Sequence, residues 1–211
     1  MINFEKLKVA VSEMDDEAAM KIIDEVVETG GDAGKAVVAC QDGMDVVGKM
    51  FETGEYFVGD LIFAGELMGQ AMDKLRPLLT SDTSDALGKM IICTVAGDIH
   101  DIGKNIVKAM MGAGGFEVMD LGVDVSPEDI VKTAQENDVK VIGLSGILTL
   151  AIDSMKGTVE AFKAAGIRDD VHIIIGGNPV TEEMCTLVGA DAWSTNPQEG
   201  VEICRKWALA K

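Results

Sequence analysis

One histidine of this chain lies in a short segment that places carboxylates beside it and ends on glycine. The segment, Gly97-Asp98-Ile99-His100-Asp101-Ile102-Gly103, follows an apolar strand pattern and precedes a helical one. A neutral imidazole is a good metal ligand, and its second ring nitrogen needs a partner that fixes the proton on it. The segment therefore predicts a metal ligand, His100, held by Asp98. The alternative is that His100 only caps a helix and Asp98 only ends a strand.

Two further segments contain glycine after an apolar run. Ser145-Gly146-Ile147 follows Gly103 after a gap of 41 residues, and Gly176-Gly177 follows Ile147 after a gap of 28 residues. Strand ends of a parallel sheet lie at one edge, where ligands bind in such folds, so the three segments are expected to share a site. Glycine pairs after strands are also common in tight turns, which is the alternative for Gly176 and Gly177.

The second half of the chain alternates short apolar strands with helices, which is typical of a parallel sheet covered on both faces. Five such units predict an α/β fold with a flavodoxin-like, Rossmann-type doubly wound sheet of five parallel strands. The predicted strands are Met90–Val95, Glu117–Leu121, Val139–Leu144, His172–Ile175 and Ala190–Trp193, and the predicted helices lie near 103–113, 127–137, 152–165, 180–188 and 197–209.

The first half of the chain has helical periodicity from residue 1 to about 80. Asp15-Asp16 is expected to cap a helix that ends at Gly30-Gly31, and Asp32 to cap the next, near 33–52, before a fourth helix at about 56–79. Four helices with short joints predict an N-terminal four-helix bundle. Six small polar residues at 80–85 then predict a linker. We therefore expect a helical domain, 1–85, and an α/β domain, 86–211.

Composition argues against several classes of function. Thirty-six acidic and 18 basic residues give a net charge of −18, which repels nucleic acids and anionic membrane surfaces. No run approaches the ~18 apolar residues of a membrane-spanning helix, and no signal-peptide pattern is present. The four cysteines lie in apolar segments without a Cys-x-x-Cys pair, as buried thiols do in a reducing compartment. The sequence predicts a cytoplasmic protein without nucleic-acid or membrane partners.

The three glycine-containing segments, at this spacing, resemble the cobalamin-binding signature of corrinoid proteins of anaerobic methyltransferase systems and of the B12 module of cobalamin-dependent methionine synthase. The resemblance implies a cobalamin or related corrinoid, bound base-off and His-on, with His100 as the lower ligand of cobalt. Asp98 and Ser145 would relay a proton as the cobalt changes state, and the Ser145 hydroxyl is expected to donate to Asp98. The other residues implied to contact the corrinoid or its nucleotide tail are Gly97, Ile99, Asp101, Gly103, Gly146, Ile147, Thr149, Gly176, Gly177 and Asn196.

The helical half resembles the methylcobalamin cap of the same proteins. Residues 42–58 look like its helix-turn-helix, in which two apolar side chains shield the upper face of the cobalt. Phe51 and Val58 fall at those two positions. On helical spacing alone, the alternative is that both residues are ordinary core of the bundle.

The resemblance implies a corrinoid methyl carrier that cycles between cobalt(I) and methyl-cobalt(III). A donor-specific methyltransferase for a methoxylated aromatic, methanol, a methylamine or a similar compound would supply the methyl group. A second methyltransferase would pass it to tetrahydrofolate or a thiol, and a reductive activase would be a third partner. In this role the chain is a corrinoid subunit without turnover of its own. The alternative is a non-enzymatic cobalamin-binding or sensory protein, which would hold its ligand rather than cycle.

Overall fold

The computed structural model describes residues 2–78 and 87–210. Contacts divide the chain into two compact units, Met1–Ala86 with Ala109–Gly115, and Leu87–Lys108 with Phe116–Lys211. The expected linker at 80–85 lies outside the described residues, so the boundary between 85 and 86 stays a prediction. Within the described residues, no helix has the length and apolar character needed to cross a membrane.

The first unit contains the predicted helical bundle, built from α1 (Phe4–Ser12), α2 (Asp16–Thr29), α3 (Ala33–Glu52) and α4 (Val58–Leu75). Asp15 and Asp32 cap α2 and α3, and the carboxylate of each accepts a backbone N–H of the first turn at 3.0 Å. Both α1 and α4 pack against α2 and α3. Fully buried side chains between the helices include Leu7, Ile23, Leu61 and Leu67.

Helix α4 is shorter at both ends than the sequence pattern predicts. It begins after Phe57, whose backbone is extended and whose N–H donates to the Asp60 carboxylate at 2.7 Å. It ends at Leu75, and a 3₁₀ turn covers Arg76–Leu78. Pro77 has no N–H with which to continue the helical hydrogen bonds, which explains this end. The last predicted position, 79, lies outside the described residues.

The second unit contains the predicted flavodoxin-like sheet. In the part of the chain that the structure describes, five parallel strands are arranged in the order β2-β1-β3-β4-β5. The strands are β1 (Gly88–Val95), β2 (Phe116–Val125), β3 (Val141–Ser145), β4 (His172–Gly176) and β5 (Ala192–Ser194), and the helices are α5 (Ile102–Ala113), α6 (Pro127–Asn137), α7 (Ala151–Ala164), α8 (Glu182–Val188) and α9 (Pro197–Leu209). Ile91, Ile142 and Ile173 of the central strands are fully buried. The predicted fold class is confirmed.

Strand β2 continues four residues beyond its predicted end at Leu121. Its pairing with β1 is irregular there: Cys93 pairs with Gly122 and Val95 with Val125, so β2 carries an extra residue. Gly122 and Asp124 have positive φ angles of 90° and 53°. Such residues read as a turn in a sequence, but here they form bulges that bend an edge strand. The bent end of β2 lies beside the end of β1.

The carboxyl ends of four strands are level with one another. Thr94, Ser145, Gly176 and Ser194 are successive neighbours in register across β1, β3, β4 and β5. The loops that follow these strands therefore leave the sheet from the same edge. This register brings the three predicted segments together.

Candidate functional site

The carboxylate of Asp98 joins the loop after β1 to the loop after β3. Its side chain is 0% exposed. Oδ1 accepts the backbone N–H and the Nδ1 of His100, both at 2.9 Å. Oδ2 accepts the backbone N–H groups of Ile147 at 2.7 Å and of Leu148 at 3.1 Å. Four hydrogen bonds thus fix one buried carboxylate between two loops.

These contacts set the charge of Asp98 and the tautomer of His100. Burial raises the pKa of Asp98, but the backbone N–H groups of His100, Leu148 and Ile147 and the imidazole outweigh burial and lower the pKa to about 2. An ionised carboxylate only accepts hydrogen bonds, so we assign the imidazole proton to Nδ1. Nε2 then keeps its lone pair on an imidazole whose side chain is 46% exposed. In this arrangement Nε2 of His100 could bind a metal.

A metal bound at His100 needs most of its ligands from elsewhere. Across residues 2–78 and 87–210, no three His, Cys, Asp or Glu side chains gather into a group that could hold a metal ion. A macrocycle that carries its own metal nitrogens supplies what a single imidazole does not. The donor set at this site therefore fits a metal held by an organic cofactor.

The loops after β1 and β3 and the start of α5 carry large apolar side chains that are exposed to solvent. Leu150 is 75% exposed and Ile102 is 73% exposed. The exposed apolar residues of the two loops are Ile99, Ile147, Leu148 and Leu150, and Ile102 is the first residue of α5. Clustered exposed apolar surface marks a binding site rather than ordinary protein surface. The site is suited to a broad ligand with an apolar face, and sequence analysis missed Ile102, Leu148 and Leu150.

The glycines of the site differ in what they do. A Cβ at Gly177, where φ is +123°, would lie 1.9 Å from the carbonyl oxygen of Gly146, and a Cβ at Gly176 would lie 3.0 Å from the Ser194 carbonyl. Close packing of the strand ends alone explains these glycines. A Cβ at Gly103 would meet no atom within 4 Å. The fold itself does not require glycine at Gly103, which leaves close approach of a ligand as a reason for it.

Ser145 does not make the hydrogen bond that the sequence analysis expects. Its hydroxyl is not among the donors to Asp98 in the described residues, because the amides of Ile147 and Leu148 hold Oδ2. Ser145 itself lies at the shared strand edge, where it pairs with Thr94. A part for Ser145 in proton transfer stays a prediction.

The remaining predicted residues lie at the same edge of the sheet but differ in their contacts. Asp101 is exposed, and its carboxylate accepts the Asn105 side-chain amide at 3.1 Å. Thr149 is exposed in the loop after β3. Asn196 follows β5 and caps α9, where its Oδ1 accepts the Gln198 N–H at 2.9 Å. The cap gives Asn196 a structural task, and its contact with a cofactor stays a prediction.

Two polar residues that bind the loop of Asp98 were not predicted from the sequence. Thr94 is fully buried at the end of β1, and its hydroxyl donates to the backbone carbonyl of Asp98 at 2.5 Å. Asp124, on the bulged end of β2, accepts the N–H of Gly97 at 2.7 Å. The available signal was a threonine in an otherwise apolar strand just before the motif.

A buried ion pair fixes the start of α5. The Lys104 ammonium, on a side chain that is 2% exposed, lies 2.7 Å from Asp120 of β2, and Lys108 lies 3.0 Å from the same carboxylate. Burial raises the pKa of Asp120, but the two ammonium groups and the Gly122 N–H lower it overall. Pairing is needed because an isolated buried charge is costly. Sequence analysis missed the pair because Lys104 looks like a surface residue of a helix.

The α3–α4 turn of the first unit carries Phe51 and Val58. Phe51 is half-buried near the end of α3, and Val58, the first residue of α4, is exposed. Phe57, Ile62 and Phe63 add further exposed apolar surface. Val58 is therefore not part of the bundle core. A shielding role for Phe51 and Val58 stays a prediction.

Comparison with known proteins agrees with this arrangement. Residues 88–202 match the family model of the B12 binding domain, and residues 4–76 match a second B12 binding domain model. The chain is 34% identical over 203 residues to trimethylamine corrinoid protein 1 of Methanosarcina acetivorans, an alignment that covers 95% of this chain and 94% of the relative.

Two solved structures are similar over the described fold. The crystal structure of a cobalamin-binding protein from Desulfitobacterium hafniense DCB-2 is 47% identical, with a TM-score of 0.86 and coverage of 98% of this chain and 99% of that one. The methanol:cobalamin methyltransferase complex MtaBC of Methanosarcina barkeri has a TM-score of 0.84 at 21% identity, covers 98% of this chain and 79% of that one, and supports the fold alone. The predicted resemblance is confirmed: this chain belongs to the B12 binding domain family, among its corrinoid proteins.

Proposed function

We propose that the protein carries a methyl group between two methyltransferases on a corrinoid whose cobalt is bound by His100. The observation that carries this proposal is the half-exposed imidazole whose Nδ1 is held by the buried, ionised Asp98. A corrinoid is the cofactor of the family to which the chain belongs. The exposed apolar side chains beside His100 and the open space at Gly103 fit such a ligand.

The bound corrinoid supplies the cobalt that accepts and releases the methyl group, while the protein sets the environment of that chemistry. His100 would present Nε2 to the cobalt, and the carboxylate of Asp98 keeps the proton on Nδ1 and fixes the orientation of the ring. Ile99 and Ile147, in the two loops that hold this pair, offer exposed apolar surface to such a ligand.

The low pKa of Asp98 determines the charge that faces His100 Nδ1. Because its pKa is about 2, Asp98 remains ionised near neutral pH. The carboxylate therefore only accepts hydrogen bonds, which keeps a proton on Nδ1 and would leave Nε2 to face the cobalt.

The partners are part of the proposal. A donor-specific methyltransferase would load the carrier, a second one would transfer the methyl group to tetrahydrofolate or a thiol, and a reductive activase would restore cobalt(I). Methylated amines are the first donors to test, because a trimethylamine corrinoid protein is among the relatives. Methanol and methoxylated aromatics are the next. We also propose that Phe51 and Val58 shield the upper face of the corrin between transfers.

Electron paramagnetic resonance of the cobalt(II) protein tests the ligand. The protein is loaded with cobalamin, once with nitrogen-15 in its histidines and once with nitrogen-15 in the cofactor, and compared with His100→Ala. Splitting that changes with the protein label and disappears in the variant is expected. Splitting that follows the cofactor label would overturn the assignment of His100.

Methyl transfer tests the carrier role. The reduced, cobalamin-loaded protein is mixed with a purified methylamine or methanol methyltransferase and its substrate, and absorption spectra follow methylation and its reversal. Repeated cycling with at least one donor system is expected. A protein that binds cobalamin tightly but cycles with none of the donor systems would favour the sensory alternative.

A further inference from the structure

Thr94 lies at the centre of a small hydrogen-bond network beneath Asp98. Its hydroxyl donates to the Asp98 carbonyl at 2.5 Å and accepts the backbone N–H of Asp124 at 2.9 Å. The Asp124 N–H also lies 3.0 Å from the Asp98 carbonyl. The Asp124 carboxylate in turn accepts the N–H of Gly97 at 2.7 Å. We call Thr94, Gly97, Asp98 and Asp124 the β1–β2 clip.

The clip exists because β2 is bulged. Between the pairs Cys93–Gly122 and Val95–Val125, β2 has one residue more than β1, so the Asp124 N–H falls outside the regular ladder. The Thr94 hydroxyl and the Asp98 carbonyl share this N–H inside the protein. Asp124 has a φ of 53°, which aims its backbone and side chain at the loop after β1. Bulges often re-aim groups near active sites.

We propose that Thr94 and Asp124 are positioning residues that hold the Asp98 main chain where its carboxylate can accept a hydrogen bond from His100 Nδ1. The only other backbone hydrogen bond of Asp98 within the described residues is its own N–H to the Val95 carbonyl at 3.0 Å. That bond closes a turn within the same loop and does not tie the loop to a neighbouring strand. The β1–β2 clip supplies that tie on the β2 side, as the Ile147 and Leu148 amides do on the β3 side.

The consequence concerns the imidazole. If the Asp98 main chain shifts, Oδ1 can no longer accept both the N–H and the Nδ1 of His100, each now at 2.9 Å. The ring then loses the bond that selects one tautomer. In this way a residue that touches neither metal nor substrate controls whether Nε2 is available as a ligand. The inference rests on the proposed ligand role of His100, but its first test needs no corrinoid.

That first test is nitrogen-15 NMR of the corrinoid-free protein. Because the chain has only two histidines, mutation of one assigns the signals of the other. The second, His172, stacks on Trp207 with ring centroids 4.8 Å apart. Wild-type His100 is expected to show a protonated Nδ1 and an unprotonated Nε2, with well-separated shifts. In Thr94→Val, which removes the hydroxyl and keeps the shape, the two shifts should converge as the tautomers mix. Thr94→Ser should restore the wild-type spectrum.

The second test is lower ligation by His100. The probe is cobinamide, a corrinoid without a nucleotide base, titrated into the protein in the cobalt(II) state and followed by electron paramagnetic resonance. Partners that support a metal-binding histidine typically contribute 10–100-fold to affinity, and we expect about a tenfold loss of histidine-ligated cobalt in Thr94→Val. Asp124→Gly keeps the positive φ and removes the carboxylate, and it should also reduce the amount of histidine-ligated cobalt.

Thr158→Val is the matched control, because Thr158 is equally buried but bonds its hydroxyl within α7, to the Ser154 carbonyl at 3.0 Å. It should match wild type in both tests. A folded Thr94→Val protein with a wild-type His100 tautomer and wild-type ligation would overturn the proposal. If wild type itself shows no histidine ligation, the proposed ligand role fails, while the tautomer comparison still decides whether the β1–β2 clip positions Asp98.

Discussion

Replacing Asp98 with asparagine changes the buried carboxylate with almost no change in shape. The asparagine keeps one acceptor oxygen and turns the other into an NH₂ donor, which would face either the two His100 donors or the Ile147 and Leu148 amides. Two hydrogen bonds to a charged acceptor are lost, each contributing about 1.5–3 kcal/mol. We expect the free energy of unfolding at pH 7 to fall by about 3 kcal/mol, the lower limit of that sum.

The pH dependence of this loss of stability distinguishes the effect of the carboxylate's charge from the effect of its shape. The pKa of Asp98 is lowered from its ordinary value of 3.8 to about 2, so the folded state binds its proton less tightly than the unfolded state. The stabilisation is fully present well above pH 3.8 and is lost as the pH falls through 2. By linkage, the advantage of wild type over Asp98→Asn should shrink by about 1 kcal/mol at pH 3 and about 2 kcal/mol at pH 2.

Urea unfolding followed by tryptophan fluorescence is a suitable assay. The two tryptophans of the chain, Trp193 and Trp207, both lie in the second unit, so the signal reports the unit that holds Asp98. Asp169→Asn, at an exposed position of the same unit, is the control for charge alone. If Asp98→Asn were as stable as Asp169→Asn at pH 7, or if its deficit did not shrink towards pH 2, the reasoning from the four hydrogen bonds would be refuted.

Four further predictions test the rest of the site and the burial of the cysteines. Ser145→Ala should leave the His100 tautomer unchanged in nitrogen-15 NMR, because its hydroxyl does not donate to Asp98; mixed tautomers would contradict this. Gly177→Ala should prevent folding, because its Cβ would lie 1.9 Å from a carbonyl oxygen, and a stable variant in circular dichroism would be the contrary result. Gly103→Ala, by contrast, should stabilise α5 by about 1 kcal/mol in urea unfolding but weaken cobinamide binding, and unchanged binding would argue against a ligand there. Burial raises the pKa of three thiols, those of Cys40, Cys93 and Cys204, to about 12. Iodoacetamide should therefore label them only after unfolding, as judged by mass spectrometry. Labelling of the native protein would disprove their burial.

Much of the fold could be predicted because local patterns and tertiary packing agree. The aspartate caps of α2 and α3 and the parallel strands β1, β3 and β4 are where periodicity and turn chemistry place them. The prediction was wrong where a local signal competed with a tertiary one. The predicted β2 ended at Leu121, but Gly122 and Asp124 belong to its bulged end, and Pro77 ends α4 earlier than the apolar pattern suggested.

By itself, the sequence determined the family, the corrinoid cofactor and the carrier role, because motif residues at a fixed spacing along the chain are directly readable. It also identified His100 and Asp98 as a pair two residues apart. Only the tertiary structure decided what holds that pair. The Ile147 and Leu148 amides replace the expected Ser145 hydroxyl, and Thr94 supports the Asp98 main chain. Backbone amides carry no signature in side-chain identity, so contacts between loops about 50 residues apart emerge only when the strands are in register.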